Sequence, residues 1–120
     1  MSCLFESLSY YVNGVDSGRL RHVMCEFLST NPSMFDNISV DDITKLESNM
    51  PIDQYIENMR KTSTWGGALE IKTFCEIFNI GVDVKSLPNN KLIEFVPSSG
   101  NPIGKILITW NGGHFEPIGH

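Results

Sequence analysis

No run of apolar residues in this sequence comes near the roughly 18 that a membrane span needs, and the start lacks the basic-then-apolar layout of a secretion signal. The expectation is a soluble, cytoplasmic chain without membrane contact. Basic residues are scarce as well. Nine Lys and Arg stand against 14 Asp and Glu, the formal charge is −5, and the longest cationic stretch is the pair Arg60 and Lys61, so nucleic acid is not expected as a partner. Cysteine is thinly spread. Cys3, Cys25 and Cys75 form an odd, widely spaced set that fits neither a disulfide framework nor a zinc site of paired C-x-x-C units. The nearest thing to a metal pattern, His22 followed three residues later by Cys25, lacks two further ligands. In "HVMCEFL" and "KTFCEIF" the cysteines read as small buried hydrophobes.

There is also no internal repeat, low-complexity tract or charge block to divide the chain. With 41% of its 120 residues apolar it can bury a core of its own, so residues 1–120 are read as one domain and a monomer.

What is present is organised by turn signals. Leu4, Phe5, Leu8, Tyr11 and Val12 recur at helical spacing and Asn13-Gly14 stops them, predicting a helix over about 3–13. Asp16 or Ser17 can cap a second helix with the stripe Leu20, Val23, Met24, Phe27 and Leu28, up to Asn31-Pro32. "SVDD" at 39–42 opens a short helix with a serine cap and early acids, and Pro51 suits the first position of "PIDQYIENMRK". A central helix within "TSTWGGALEIKTFCEIFNIG" carries the stripe Ala68, Ile71, Phe74, Cys75 and Phe78. Beyond it the pattern changes to "IGVDVKSL", "KLIEFV", "KILITW" and "HFEPI", separated by "PNN", "PSSGNP" and "NGG". Helices first and strands afterwards predict an α+β fold, a helical N-terminal half packed on a small, mainly antiparallel sheet.

Chemistry concentrates at three places. A cysteine opening a helix, as Cys3 does, sits at the positive end of the dipole, which favours the nucleophilic thiolate. Such a thiolate works with an imidazole that later protonates the leaving amine. His114 is the candidate, placed at a strand start just after Asn111-Gly112-Gly113. The third place is Trp65-Gly66-Gly67 ahead of the central helix.

Taken together, "CLFESLSYYV", "TWGGALEIKTFCEIFNIGVDV" and "HFEPI" resemble, in family order, the nucleophile segment, the Trp-Gly-Gly-x-x-Glu helix and the closing His strand of the ovarian tumour (OTU) cysteine proteases, the deubiquitinases. The resemblance implies a papain-like cysteine protease fold in which Cys3 is the nucleophile and His114 the general base and acid. Trp65, Gly66, Gly67 and Glu70 would shape the supporting helix. It implies a substrate too: the arginine-containing tail of ubiquitin or a ubiquitin-like modifier, joined to lysine by an isopeptide bond, with which the net negative charge is compatible. No cofactor is expected. The family includes cellular and viral members, and a domain this small leans towards the viral kind, which would act in the host cytoplasm. Two positions depart from the pattern. Only Met1 and Ser2 precede Cys3 where the family has Asp-Gly-x, the loop that contributes to the oxyanion hole. Glu116 stands where the family usually has Asn or Asp to orient the imidazole. Glu116 is taken as that third residue, with Asn111 as its alternative. A catalytically incompetent, ubiquitin-binding module of the same fold is the competing reading.

Overall fold

A computed structural model describes residues 3–12, 14–34, 38–61 and 67–117. Five helices come before the main sheet: α1 (Cys3–Ser9), α2 (Ser17–Leu28), α3 (Val40–Ser48), α4 (Ile52–Met59) and α5 (Ala68–Phe78). Two-residue strands β1 (Ser33–Met34) and β2 (Ile38–Ser39) pair between α2 and α3, a ladder too short to leave a periodic signal. The remaining strands are β3 (Ile80–Ser86), β4 (Lys91–Phe95), β5 (Gly104–Trp110) and β6 (Phe115–Pro117).

The helix boundaries follow the capping chemistry. Asp16 accepts a hydrogen bond from the Arg19 N–H at 2.8 Å, and Ser39 accepts from Asp42 N–H at 3.2 Å, so both expected side-chain caps form. Asn49 and Asn79 end α3 and α5 in the left-handed region, at φ 56° and 55°. Helix α1 stops at Ser9, earlier than the periodicity predicts, and continues as a turn. There the Tyr11 and Val12 N–H groups donate to the Leu8 and Ser9 carbonyls at 3.2 and 3.0 Å, and the Tyr11 hydroxyl donates to the Leu107 carbonyl of β5 at 2.8 Å, a tertiary bond between this turn and the sheet. Pro51 lies just outside α4, at its N-cap.

The main sheet has the order β4-β3-β5-β6. β3 is antiparallel to β4 and parallel to β5, while β6 returns antiparallel on β5, so the sheet is mixed. Alternation assigns its faces. Val82, Val84 and Ile108 point into the core with Ile106, Phe95, Trp110 and Phe115 against it. On the other face Lys105 bridges Asp83 (3.5 Å) and Glu94 (3.2 Å), a polar surface open to water.

Helix α5 lies against β3 and is the most completely buried helix: Leu69 through Cys75 are all buried, and only Ala68 of the expected stripe is exposed. In α2 the buried set is Leu20, Arg21, Met24, Cys25 and Leu28, with Val23 and Phe27 half-buried. The core face is thus rotated towards an arginine and a cysteine that the apolar stripe did not include.

Candidate active site

Cys3 is the first residue of α1 and is 6% exposed. All three cysteines are free thiols, yet they occupy different surroundings. Cys25 and Cys75 belong to the central hydrophobic cluster, and burial pushes both thiols up to about 11. They are inert core residues, as expected. Cys3 is equally hidden but stands outside that cluster, at the N-terminal end of a helix whose buried apolar residues Leu4, Phe5 and Leu8 lie within it. His22 is exposed while Cys25 is fully buried, so the two do not share a surface.

Helix α1 packs on β6 and on α2. The strand it touches begins at Phe115, so His114 lies in the connection just before β6 and does not open the strand as the spacing predicts. The fold therefore brings the helix headed by Cys3 to the strand that His114 precedes, although they stand 111 positions apart. His114 is exposed, and its carbonyl accepts the Asn111 N–H at 3.1 Å, closing the β5–β6 turn. Asn111 uses its side chain in the same turn: Oδ1 accepts the Gly113 N–H at 3.1 Å, and Gly112 follows the chain round at φ 108°. Glu116 pairs with Thr109 in the ladder, is exposed, and alternates with the inward-facing Phe115. Its side chain thus stands on the open side of the edge strand.

Of the Trp-Gly-Gly segment, Trp65 and Gly66 lie outside the described residues. Gly67 is the N-cap of α5, in an extended conformation. Glu70, three residues on, is 1% exposed and reaches back so that Oε1 accepts the Gly67 N–H at 2.8 Å. This is one arm of a capping box; glycine has no side chain to supply the other. Oε2 accepts the Tyr55 hydroxyl at 2.6 Å. Burial drives the Glu70 carboxyl above the ordinary range, against the pull of these two donors and of the Arg21 charge. The Tyr55 hydroxyl is raised too, first by burial and then by the carboxylate beside it.

A cavity of about 440 Å³ opens between α3, α4 and the start of α5, lined in part by Met50, Tyr55, Gly67 and Glu70. Arg21, 3% exposed, completes the polar core: Nη1 donates to the Met59 carbonyl at 2.7 Å, and its guanidinium carbon lies 4.1 Å from the centroid of the Phe5 ring. Sequence reasoning named Glu70 but missed Arg21 and Tyr55. The available signal was positional: Arg21 precedes Cys25 by one helical turn and so falls on the buried face.

Comparison with known proteins completes the description. The family profile for OTU-like cysteine proteases matches residues 2–105, a stretch that contains Cys3 and Glu70 and ends before His114. Ubiquitin thioesterase Otu1 of Drosophila melanogaster is 26% identical over 121 residues, covering 98% of this chain and 32% of that protein. Ubiquitin thioesterase OTU1 of Saccharomyces cerevisiae is 27% identical over 118 residues, covering 98% and 36%. The chain spans about a third of the length of the curated relatives it matches. Among solved structures, an ovarian tumour (OTU) domain in complex with ubiquitin superposes with a TM-score of 0.78 at 24% identity, over 97% of this chain and 62% of that one. An OTU deubiquitinase from Wolbachia pipientis wMel gives 0.73 at 22% identity, over 97% and 80%. These likenesses establish the fold.

Proposed function

The chain belongs to the OTU-like cysteine protease family, and from that premise we propose that it is a cysteine isopeptidase releasing ubiquitin or a ubiquitin-like modifier from lysine side chains. The observation that carries the reading is the meeting of α1 and β6: a cysteine at a helix start is packed, through its helix, against the strand that a histidine immediately precedes. The relatives named ubiquitin thioesterase, and the structural neighbour bound to ubiquitin, support ubiquitin as the substrate.

In this reading the Cys3 thiolate attacks the carbonyl carbon of the isopeptide bond, forming a C–S bond and a tetrahedral oxyanion. Collapse of that oxyanion breaks the C–N bond, and the His114 imidazolium gives its proton to the departing lysine amine. Water, losing a proton to His114, then attacks the thioester and releases the modifier's carboxylate and the thiolate. Glu116 is assigned to orient the imidazole. Asn111 Oδ1 is already engaged by the Gly113 N–H, whereas the Glu116 side chain is exposed two residues from His114. The backbone donors of an oxyanion hole are left unassigned, because residues 1–2 lie outside the described structure.

The test is capture by ubiquitin carrying an electrophile at its C-terminus. The wild-type chain is expected to gain one covalent ubiquitin, and Cys3→Ala none, with its circular dichroism and melting temperature unchanged. Capture that persists in Cys3→Ala overturns the assignment of the nucleophile. Reversible binding without capture in the wild type converts the reading to that of a binding module.

A further inference from the structure

We propose that Arg21 is a positioning residue for the Cys3 nucleophile: anchored on the end of α4, its guanidinium holds the Phe5 ring, and with it the short helix α1, in the orientation from which the thiol attacks. The proposal rests on the cysteine reading given above.

Helix α1 has seven residues, two turns, which is too short to hold itself together without packing. The Ser7 hydroxyl donates to the Cys3 carbonyl at 2.8 Å, but that bond is internal to the helix. The apolar contacts of Leu4, Phe5 and Leu8 bury α1, and the Tyr11 hydroxyl on the Leu107 carbonyl ties down the turn that follows it. A cation held over an aromatic face is directional. The Arg21 guanidinium carbon is 4.1 Å from the centroid of Phe5, and the group is itself pinned by the Met59 carbonyl at 2.7 Å, where α4 ends. Glu70 on α5 acts on the same charge, offsetting in part the burial that lowers the Arg21 pKa. The guanidinium is thus carried by α2, pinned on α4 and laid against the ring of α1.

Phe5 follows Cys3 by two residues, so any rotation of α1 that shifts the ring also swings the sulfur. Displacements on the order of 1 Å can slow a reaction roughly a hundredfold. An apolar side chain of similar volume at position 21 could fill the space but would supply neither the bond to the Met59 carbonyl nor the contact with the ring.

The test uses the whole chain with Arg21→Lys, Phe5→Leu and the double variant, assayed on a ubiquitin C-terminal fluorogenic amide well below each melting temperature. Both single variants are expected to lower kcat about tenfold while KM stays within about twofold, and the double variant to be no slower than the worse single one. Arg21→Lys keeps the charge but loses the planar fork. Should it fail to fold, Phe5→Leu, which nearly conserves volume and leaves Arg21 intact, decides the question. Wild-type kcat in folded Phe5→Leu, a loss confined to KM, or multiplicative losses in the double variant each overturn the proposal. Turnover by Cys3→Ala removes the cysteine reading and this one with it. An inactive Cys3→Ala beside a fully active Phe5→Leu removes this one alone.

Discussion

Deleting one hydroxyl group should expose how the core tolerates a buried acid. Tyr55 donates to Glu70 Oε2 at 2.6 Å, and Glu70 is 1% exposed, so Tyr55→Phe withdraws one donor from a carboxylate that water scarcely reaches. The Gly67 N–H, at 2.8 Å on the other oxygen, stays in place. A hydrogen bond to a charged group contributes about 1.5–3 kcal/mol. The adjoining cavity of about 440 Å³ can admit water towards the abandoned oxygen, which places the expected loss near the middle of that range, about 2 kcal/mol. With an unfolding entropy of about 2.1 cal/mol/K per residue, a chain of this length should melt roughly 8 °C lower. The loss should also depend on pH. Burial raises the Glu70 pKa in the folded protein, so its contribution to stability is complete below the unfolded value of about 4.3 and declines as pH rises through the folded value. Removing a donor that favours the charged form raises the folded value further and steepens that decline. Urea melts of both proteins at pH 4 and pH 7 should therefore differ by less at pH 4. A difference under about 0.5 kcal/mol at both pH values, or a larger one at pH 4, would refute the assignment of Tyr55 as a supporting donor.

The remaining expectations concern the thiols and the imidazole. Cys25 and Cys75, buried in the core with thiols pushed up to about 11, should resist iodoacetamide at pH 8 in the native protein and react fully in urea, as mass spectrometry would show; native labelling at rates of a free thiol would contradict their burial. Under the proposed mechanism, Glu116→Ala should slow cleavage of a ubiquitin fusion far less than His114→Ala, because a Cys3–His114 pair would survive without an orienting group. If Glu116→Ala is as fast as wild type and Asn111→Ala falls tenfold, about 1.4 kcal/mol, with its fold intact, the orienting role passes to Asn111.

How much of this was readable in the sequence depends on how local the cause is. The caps at Asp16 and Ser39 are contacts across three residues, and both form as their residue types dictate. The four strands of the main sheet fall where the short apolar runs stand between turn residues. The parallel pairing of β3 with β5 had no such signal, because it joins segments separated by a whole strand and two loops. The turn after α1 likewise carries a bond to a partner 96 residues away, the Leu107 carbonyl that the Tyr11 hydroxyl reaches. At the candidate site, residue type and order marked Cys3 and His114 as candidates, whereas Arg21 and Tyr55 belong to no motif and went unmarked.

The omission of Arg21 has a physical origin. A binary pattern of apolar and polar positions treats charge as a mark of the surface, yet α1, α2, α4 and α5 meet around a guanidinium and a carboxylate, each almost wholly buried. Hydrophobic contacts bury a helix of seven residues, while hydrogen bonds and a cation over a ring each add a contact that tolerates only a narrow geometry. Under the proposed function, in which Cys3 attacks from this helix, that narrowness matters more than further stability. Polar side chains at core positions of helices adjoining a reactive cysteine are therefore where catalytic geometry should be sought, even when no motif includes them.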